Sequence, residues 1–335
     1  MRNHLQVARI IFCVLTLCLA STAVTLAQEE TAATVSGQVT DSTGAVIANA
    51  AVIITNKATG VARQVQTNDE GLYVITPLVP GDYDLTVEQT NFKRYLQTLT
   101  LNARDRRPVN ITLEPGAPSE TVTVTDEAPL IQDSPTGQSL ISGAQVVELP
   151  LNNRNFLKLT ELVPGVTSTL DDESSFGLTS RADISINGMR RNGVNYLVDG
   201  VSNTDVGSNI TLLSTPTVDS IQEFKVLTSN YTADIGRSGG GVVTVVTKGG
   251  SNEFHGSLYE FLRNDYFNAN TYFNNRAGRR ADGSLLLPVP KLRYNNFGGT
   301  LSGPVTLPRF GEGGNSTYSG KNKLFFFFSE EVRKI

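Results

Sequence analysis

Tryptophan is absent from the 335 residues, histidine occurs twice, and both cysteines, Cys13 and Cys18, lie within the first 27 positions. Beyond Ala27 the chain therefore has no disulfide to brace it, and one histidine with no thiol leaves few nucleophile–base pairs, which sets aside an exported hydrolase. Excess positive charge is also lacking. The net charge is −4, so nothing points to a nucleic-acid partner. Long apolar runs are missing too. The stretch Ile10–Ala20, IIFCVLTLCLA, has 11 residues, too few to span a bilayer as a helix. Arg2 and Arg9 stand ahead of its core and small residues follow to Ala27, the build of a secretory signal peptide over residues 1–27. Leu17 before Cys18 argues against a lipoprotein cleavage site. That segment holds Arg2 and Arg9 but no carboxylate, so the remainder carries 26 cationic against 32 anionic side chains.

What is plentiful is Val, Thr, Gly and Asn, a composition for strands and turns. From Thr34 to Gly116 the pattern is short alternation. Val35, Gly37 and Val39 share one face of VSGQVTD; Tyr83, Leu85 and Val87 share one face of YDLTVE, with Asp84, Thr86 and Glu88 opposite; Val109, Ile111 and Leu113 share one face of VNITL. About seven strands with turns every 8–12 residues predict a β-sandwich. Asn68–Gly71 and Pro80–Gly81 supply turn chemistry. Next, Glu120–Thr125 is a β-branched run flanked by Pro118, Pro129 and Pro135. It reads as a linker or last edge strand, or as a strand offered to another protein. In the second case main-chain bonds carry the affinity, and proline at Val122, not alanine, is the disruptive change.

From Ser142 to Gly250 the pattern is mixed α/β. Asn153 is placed to cap a helix carrying Phe156, Leu157, Leu159 and Leu162, ended by Pro164–Gly165, and Asp219 to cap a short turn before a strand. Asp171, Asp172 and Glu173 lack calcium-loop spacing and read as a solvated loop. The stretch GRSGGGVVTVVTKGG, Gly236–Gly250, has its glycines before the strand and Gly after Lys248, the wrong order for a phosphate-binding loop.

Several blocks carry a family resemblance. GQVTDSTGAVIANAAVII with TNDEGLYVITPLVPGDYDLTV resembles the carboxypeptidase regulatory-like domain, a transthyretin-like sandwich. The likeness implies no peptidase: a zinc carboxypeptidase needs H-x-x-E and a second His, whereas Leu258 stands three residues after the lone His255. LPLNNRNFLKLTELVPGV, NGMRRNGVNYLVDGVSN and the run from VDSIQEFKVLTS to GSLYEFLRND resemble the plug and first barrel strand of TonB-dependent outer-membrane receptors, Oar-like type. ETVTVTD resembles the TonB box.

The resemblance implies a mainly β chain: signal peptide 1–27, transthyretin-like β-sandwich 34–116, linker 117–135, mixed α/β plug domain 136–252, and the first strands of an incomplete transmembrane β-barrel 253–335. It implies TonB contact by Glu120, Thr121, Val122, Thr123, Val124 and Thr125. It implies structural plug positions at Asp199 and Gly200, and at Gly236, Gly239, Gly240 and Gly241, where φ > 0 and close backbone approach are expected. It implies outer-membrane lipid around the chain, an extracellular ligand of large or scarce type (carbohydrate, peptide or siderophore-like), no cofactor, no metal and no catalysis. The 83 residues from Glu253 to Ile335 hold about three strands where a closed barrel needs at least about 8, so the expectation is an N-terminal piece of a longer receptor. In the barrel part, Tyr259 and Phe261 are expected on one strand face, Phe297 and Leu301 opposite Tyr294, and Phe325–Phe328 at the membrane interface. A secreted carbohydrate- or protein-binding adhesion protein is the alternative.

Overall fold

The computed structural model describes residues 31–117, 120–125, 137–149, 151, 154–168, 181–231, 235, 238–308 and 317–334. The signal segment, Asn153, the acidic triplet at 171–173, Gly236 and the linker residues 126–135 lie outside the described residues.

Nine strands build the N-terminal unit: β1 (Ala33–Asp41), β2 (Ala51–Asn56), β3 (Ala62–Gln66), β4 (Leu72–Leu78), β5 (Gly81–Glu88), β6 (Arg94–Leu101), β7 (Arg106–Pro108), β8 (Ile111–Leu113) and β9 (Thr121–Thr125). One sheet runs β4-β1-β7, with β8 also on β1; the other runs β3-β2-β5-β6-β9. The alternating residues meet between them: Val35, Val39, Val52, Ile54, Leu85, Val87, Leu99, Ile111 and Leu113 are all buried. Thr86, expected on the outer face, is buried as well. Strand β1 pairs in parallel with β7 through Thr34–Ser36 and with β8 through Val39–Asp41. Between those stretches the carbonyl of Val109 crosses β1 at Gly37, where a Cβ would lie 1.8 Å from that oxygen. Only glycine fits there.

The second unit is a five-stranded sheet, ordered β10 (Gly137–Ser142), β15 (Ile221–Ser229), β16 (Gly241–Thr247), β13 (Val194–Val198), β14 (Val201–Ser202). A two-stranded pair, β11 (Val166–Ser168) and β12 (Ile184–Ile186), lies beside it. Its one α-helix among the described residues, α1 (Gly143–Glu148), starts at a capping box: the Ser142 hydroxyl accepts from Gln145 N–H, and the Gln145 side chain accepts from Ser142 N–H. The helix expected over Phe156–Leu162 is a 3-10 turn, capped by Asn155, whose Oδ1 accepts from Leu157 N–H at 2.9 Å. Phe156, Leu157 and Leu159 enter the core, whereas Leu162, the last residue of the turn, stays exposed. The cap of the short turn Val218–Ser220 is Thr217, not Asp219.

The third unit is an antiparallel meander, β17 (His255–Asn264), β18 (Arg293–Pro304) and β21 (Phe325–Lys334), with a short hairpin of β19 (Thr306–Pro308) and β20 (Thr317–Ser319) between its last two strands. Between β17 and β18 stands a second short helix, α2 (Tyr272–Arg276). The three long strands have 10, 12 and 10 residues, about the length that crosses a bilayer at a tilt. Among the described residues no helix is long and apolar enough to do so.

Candidate functional site: the partner strand and the seams around the plug

The register of the meander sorts its side chains by face. Ser257, Tyr259 and Phe261 share one face with Asn296, Gly298 and Thr300 and with Phe327, Ser329, Glu331 and Arg333. The other face carries Leu258, Leu262, Phe297, Leu301, Phe326, Phe328 and Val332, with Glu260 and Glu330 between them. Leu258 is 94% exposed and Phe328 58%. The four consecutive phenylalanines thus divide between the faces. The first face turns to the five-stranded unit. There the Thr217 and Ser329 hydroxyls are 2.7 Å apart, and Arg154 enters from the loop before the 3-10 turn. Its guanidinium bonds the Asp219 carboxylate, approaches Glu331 Oε2 at 3.5 Å, and lies over the rings of Tyr259 and Phe261 at 4.5 and 4.3 Å. Glu331 also accepts from the Tyr259 hydroxyl at 3.1 Å and from Arg333 Nε at 2.8 Å. Arg154 and Asp219 are both buried. Burial pushes the Asp219 carboxyl above the usual carboxylate range, against the pull of Arg154 and Lys248, and lowers the Lys248 ammonium.

A second charged seam joins the sandwich to β15. Glu223 Oε2 accepts from the N–H of Ala103 at 2.8 Å, and Lys225 Nζ donates to the carbonyl of Ala103 at 2.7 Å. Lys225 also faces Asp105 at 3.5 Å and Glu223 at 3.7 Å. The two side chains hold one residue by both its backbone N–H and its C=O. Both are buried, and burial raises the Glu223 carboxyl despite Lys225 beside it. The third contact is polar: Asn252 donates to the carbonyls of Ala58 and Thr59 at 3.0 and 2.7 Å, and its amide exchanges hydrogen bonds with Asn322.

The residues singled out in the sequence fall into three groups. Asp199 has φ +49 and Gly200 φ +83, the two left-handed positions of a tight hairpin turn between β13 and β14. The Asp199 carboxylate accepts from Thr247 N–H and from its hydroxyl, both at 2.8 Å, and so ties that turn to the end of β16. Gly239, Gly240 and Gly241 do not take φ > 0 as expected. Gly240 and Gly241 are needed for close approach, whereas a Cβ on Gly239 would meet only the tip of Met189, at 3.3 Å. A Cβ on Gly240 would lie 2.9 Å from that of Met189, and one on Gly241 2.7 Å from the carbonyl of Leu227. Finally, Thr121–Thr125 is β9, paired in parallel with Arg94–Thr98 of β6. It is the last strand of its sheet, which fits the edge-strand reading in this state; among the described residues no strand pairs with its other side.

Sequence reasoning missed Arg154, Glu331, Glu223 and Lys225, and read Asp219 as a cap. The last pair left a signal. IQEFKVLTS carries opposite charges two positions apart, flanking Phe224, which places both on one face.

Comparison with known proteins follows the same order along the chain. Residues 34–114 match the carboxypeptidase regulatory-like domain, 131–243 the TonB-dependent receptor plug domain, and 246–335 an outer membrane beta barrel domain. In this order the domains place the chain in the family of TonB-dependent outer-membrane receptors, and the outer membrane is its location. Within that class the chain is 31% identical over 278 residues to the TonB-dependent transporter Oar of Myxococcus xanthus, an Oar-like alignment that takes in 78% of this chain and 23% of that protein. The chain thus spans about a quarter of that relative's length. Among solved structures it is similar to the siderophore receptor PirA of Acinetobacter baumannii (20% identity, TM-score 0.34, 50% of this chain and 22% of that one). A second is the outer membrane transporter YddB of Escherichia coli (20%, 0.35, 51% and 24%).

Proposed function

We propose that the chain acts in TonB-dependent uptake of a large or scarce ligand (carbohydrate, peptide or siderophore-like) across the outer membrane. Residues 1–27 serve as the signal peptide, 34–116 as the sandwich, 117–135 as the linker with the TonB-contacting segment, 136–252 as the plug and 253–335 as barrel wall. The observation that carries the reading is the sorting of the meander. Its outward face is mainly apolar, with Leu258, Leu262, Phe297, Leu301, Phe328 and Val332 outnumbering Glu260 and Glu330, while Tyr259, Ser329 and Glu331 look at the five-stranded unit, as a lumen wall around a plug requires. Energy would reach the plug through Glu120–Thr125. No covalent step is involved, and no side chain has a catalytic role. The matched plug and barrel domains favour this over a secreted adhesion protein.

The test is binding of the periplasmic C-terminal domain of the cognate TonB to the full chain in detergent micelles, by calorimetry. Replacing residues 120–125 with a Gly/Ser stretch of equal length should abolish the heat of binding. Undiminished affinity would remove the assigned contact.

A further inference from the structure

The partner strand is not a loose tether in this structure. Glu120 accepts at its carbonyl from Arg94 N–H at 2.8 Å, and the parallel register continues from Arg94↔Thr121 to Thr98↔Thr125. In a strand the backbone groups of alternate residues point to opposite edges. Glu120, Val122 and Val124 therefore turn their N–H and C=O groups toward β6. Thr121, Thr123 and Thr125 turn theirs away, to an edge with no partner strand among the described residues.

Proteins blunt such edges with lysine, proline, bulges or a covering element. TVTVT has none of these and no charge. The nearby ion pairs, Lys93 with Glu114 and Glu120 at 3.1 and 3.6 Å and Arg94 with Glu88 at 3.2 Å, sit at the strand's beginning. An unblunted, uncharged, β-branched edge fits one kind of occupant, another extended strand. The position of β6 adds a consequence. Its last residue, Leu101, is followed within two residues by Ala103, the residue whose backbone Glu223 and Lys225 of β15 hold.

We propose that the sandwich presents β9 as a preformed strand and that the energy-coupling partner adds its own strand to the outer edge, at Thr121, Thr123 and Thr125. Sandwich and partner then form one continuous sheet, and β6 gives that sheet a bonded route to plug strand β15. The proposal rests on the TonB-contact reading above and specifies which edge is used. It also corrects the choice of proline site. Proline at Val122 breaks the sandwich's own pairing, whereas proline is tolerated on an edge strand whose N–H faces solvent, which is the case at Thr123.

The experiment uses the full chain in detergent micelles and the purified TonB C-terminal domain. Binding is followed by calorimetry, with amide hydrogen exchange read at Arg94, Leu96 and Thr98, the β6 donors toward β9. Thr123→Pro should weaken binding about tenfold or more, since it removes an outward donor and blocks the ladder. Those three β6 amides should stay protected in the variant, in the free chain and in the complex. If the partner instead displaces β6, complex formation will expose the three amides and Thr123→Pro will bind like the parent, and the proposal falls while the contact reading stands. Dimers of the chain alone that Thr123→Pro dissociates would assign the edge to a second copy and also overturn it. Loss of binding on replacing residues 120–125 tests the contact itself, so the two failures are distinguishable.

Discussion

Arg154 offers the sharpest test of how the plug is held against the wall. Arg154→Met keeps most of the side-chain volume and removes the charge. Two carboxylates lose a cation, and they are not equally exposed to that loss. Glu331 keeps Arg333 and the Tyr259 hydroxyl. Asp219 keeps only the more distant influence of Lys248. Breaking a buried pair by removing one partner costs about 3–5 kcal/mol. With Glu331 still partnered, the lower end applies, about 3 kcal/mol, or roughly a hundredfold in the population of plug lifted from this seam.

The chain beyond residue 27 has no cysteine, so a single Thr217→Cys, placed opposite Ser329, reports on that opening. Its labelling by a bulky maleimide in isolated outer membranes should speed up more than tenfold when Arg154→Met is added. Asp219→Asn on top should recover much of the rise, because the uncompensated carboxylate is then gone. Labelling within twofold of the Thr217→Cys parent would show that the plug seats without Arg154, and the reasoning from burial and pairing would be refuted.

Two further outcomes follow from the same geometry. Gly37→Ala should destabilise the sandwich by about 3 kcal/mol or more, since its Cβ would meet the Val109 carbonyl at 1.8 Å and backbone must move. Gly249→Ala, with open space around it, should unfold like the parent in a denaturant titration of the same chain, and equal midpoints for both variants would refute the crossing at Gly37. The Glu223 seam should hold or tighten on acidification. Its carboxyl is raised in the folded state, so its contribution is fully present below the unfolded pKa and is lost as pH rises through the folded one. Protection of the Ala103 amide, corrected for intrinsic exchange, should grow from pH 7 to about 5 and lose that dependence in Glu223→Gln; protection that falls instead would mean that the ion pair with Lys225 dominates.

The strands were legible where one face is dry and the other wet. Tyr83, Leu85 and Val87 against Asp84 and Glu88 could be read by eye, and so could Tyr259 and Phe261 on one side of β17. Local punctuation was legible in kind but not in place: a cap stood before Phe156, yet at Asn155, and a turn stood at Val218–Ser220, yet capped by Thr217. The glycine run was readable as a need for small residues, but the reason is contact with Met189 and Leu227 and not a positive φ. What could not be read is pairing at a distance. Arg154 meets Asp219, 65 residues on, and nothing within NNRNF announces it. A buried charge looks like a surface charge until the fold brings its partner.

The distribution of those charges separates two kinds of joint. Inside the sandwich, Val35, Leu85 and Ile111 meet across an apolar core, and opening it would expose hydrocarbon to water at about 25 cal/mol per Å². At the joints around the plug the touching groups are mainly guanidinium, carboxylate, ammonium, hydroxyl and backbone amide, with the Tyr259 and Phe261 rings under Arg154. Buried ion pairs return little net stability, because what the interior loses in attraction water restores in solvation. A joint of that kind is specific in register while closed and leaves groups that water can hydrate once open. An apolar seam of equal area would hold the plug more tightly, and each opening would leave a hydrophobic wall inside the lumen. The polar seams are therefore what a plug needs if it is to leave its seat and return to the same one.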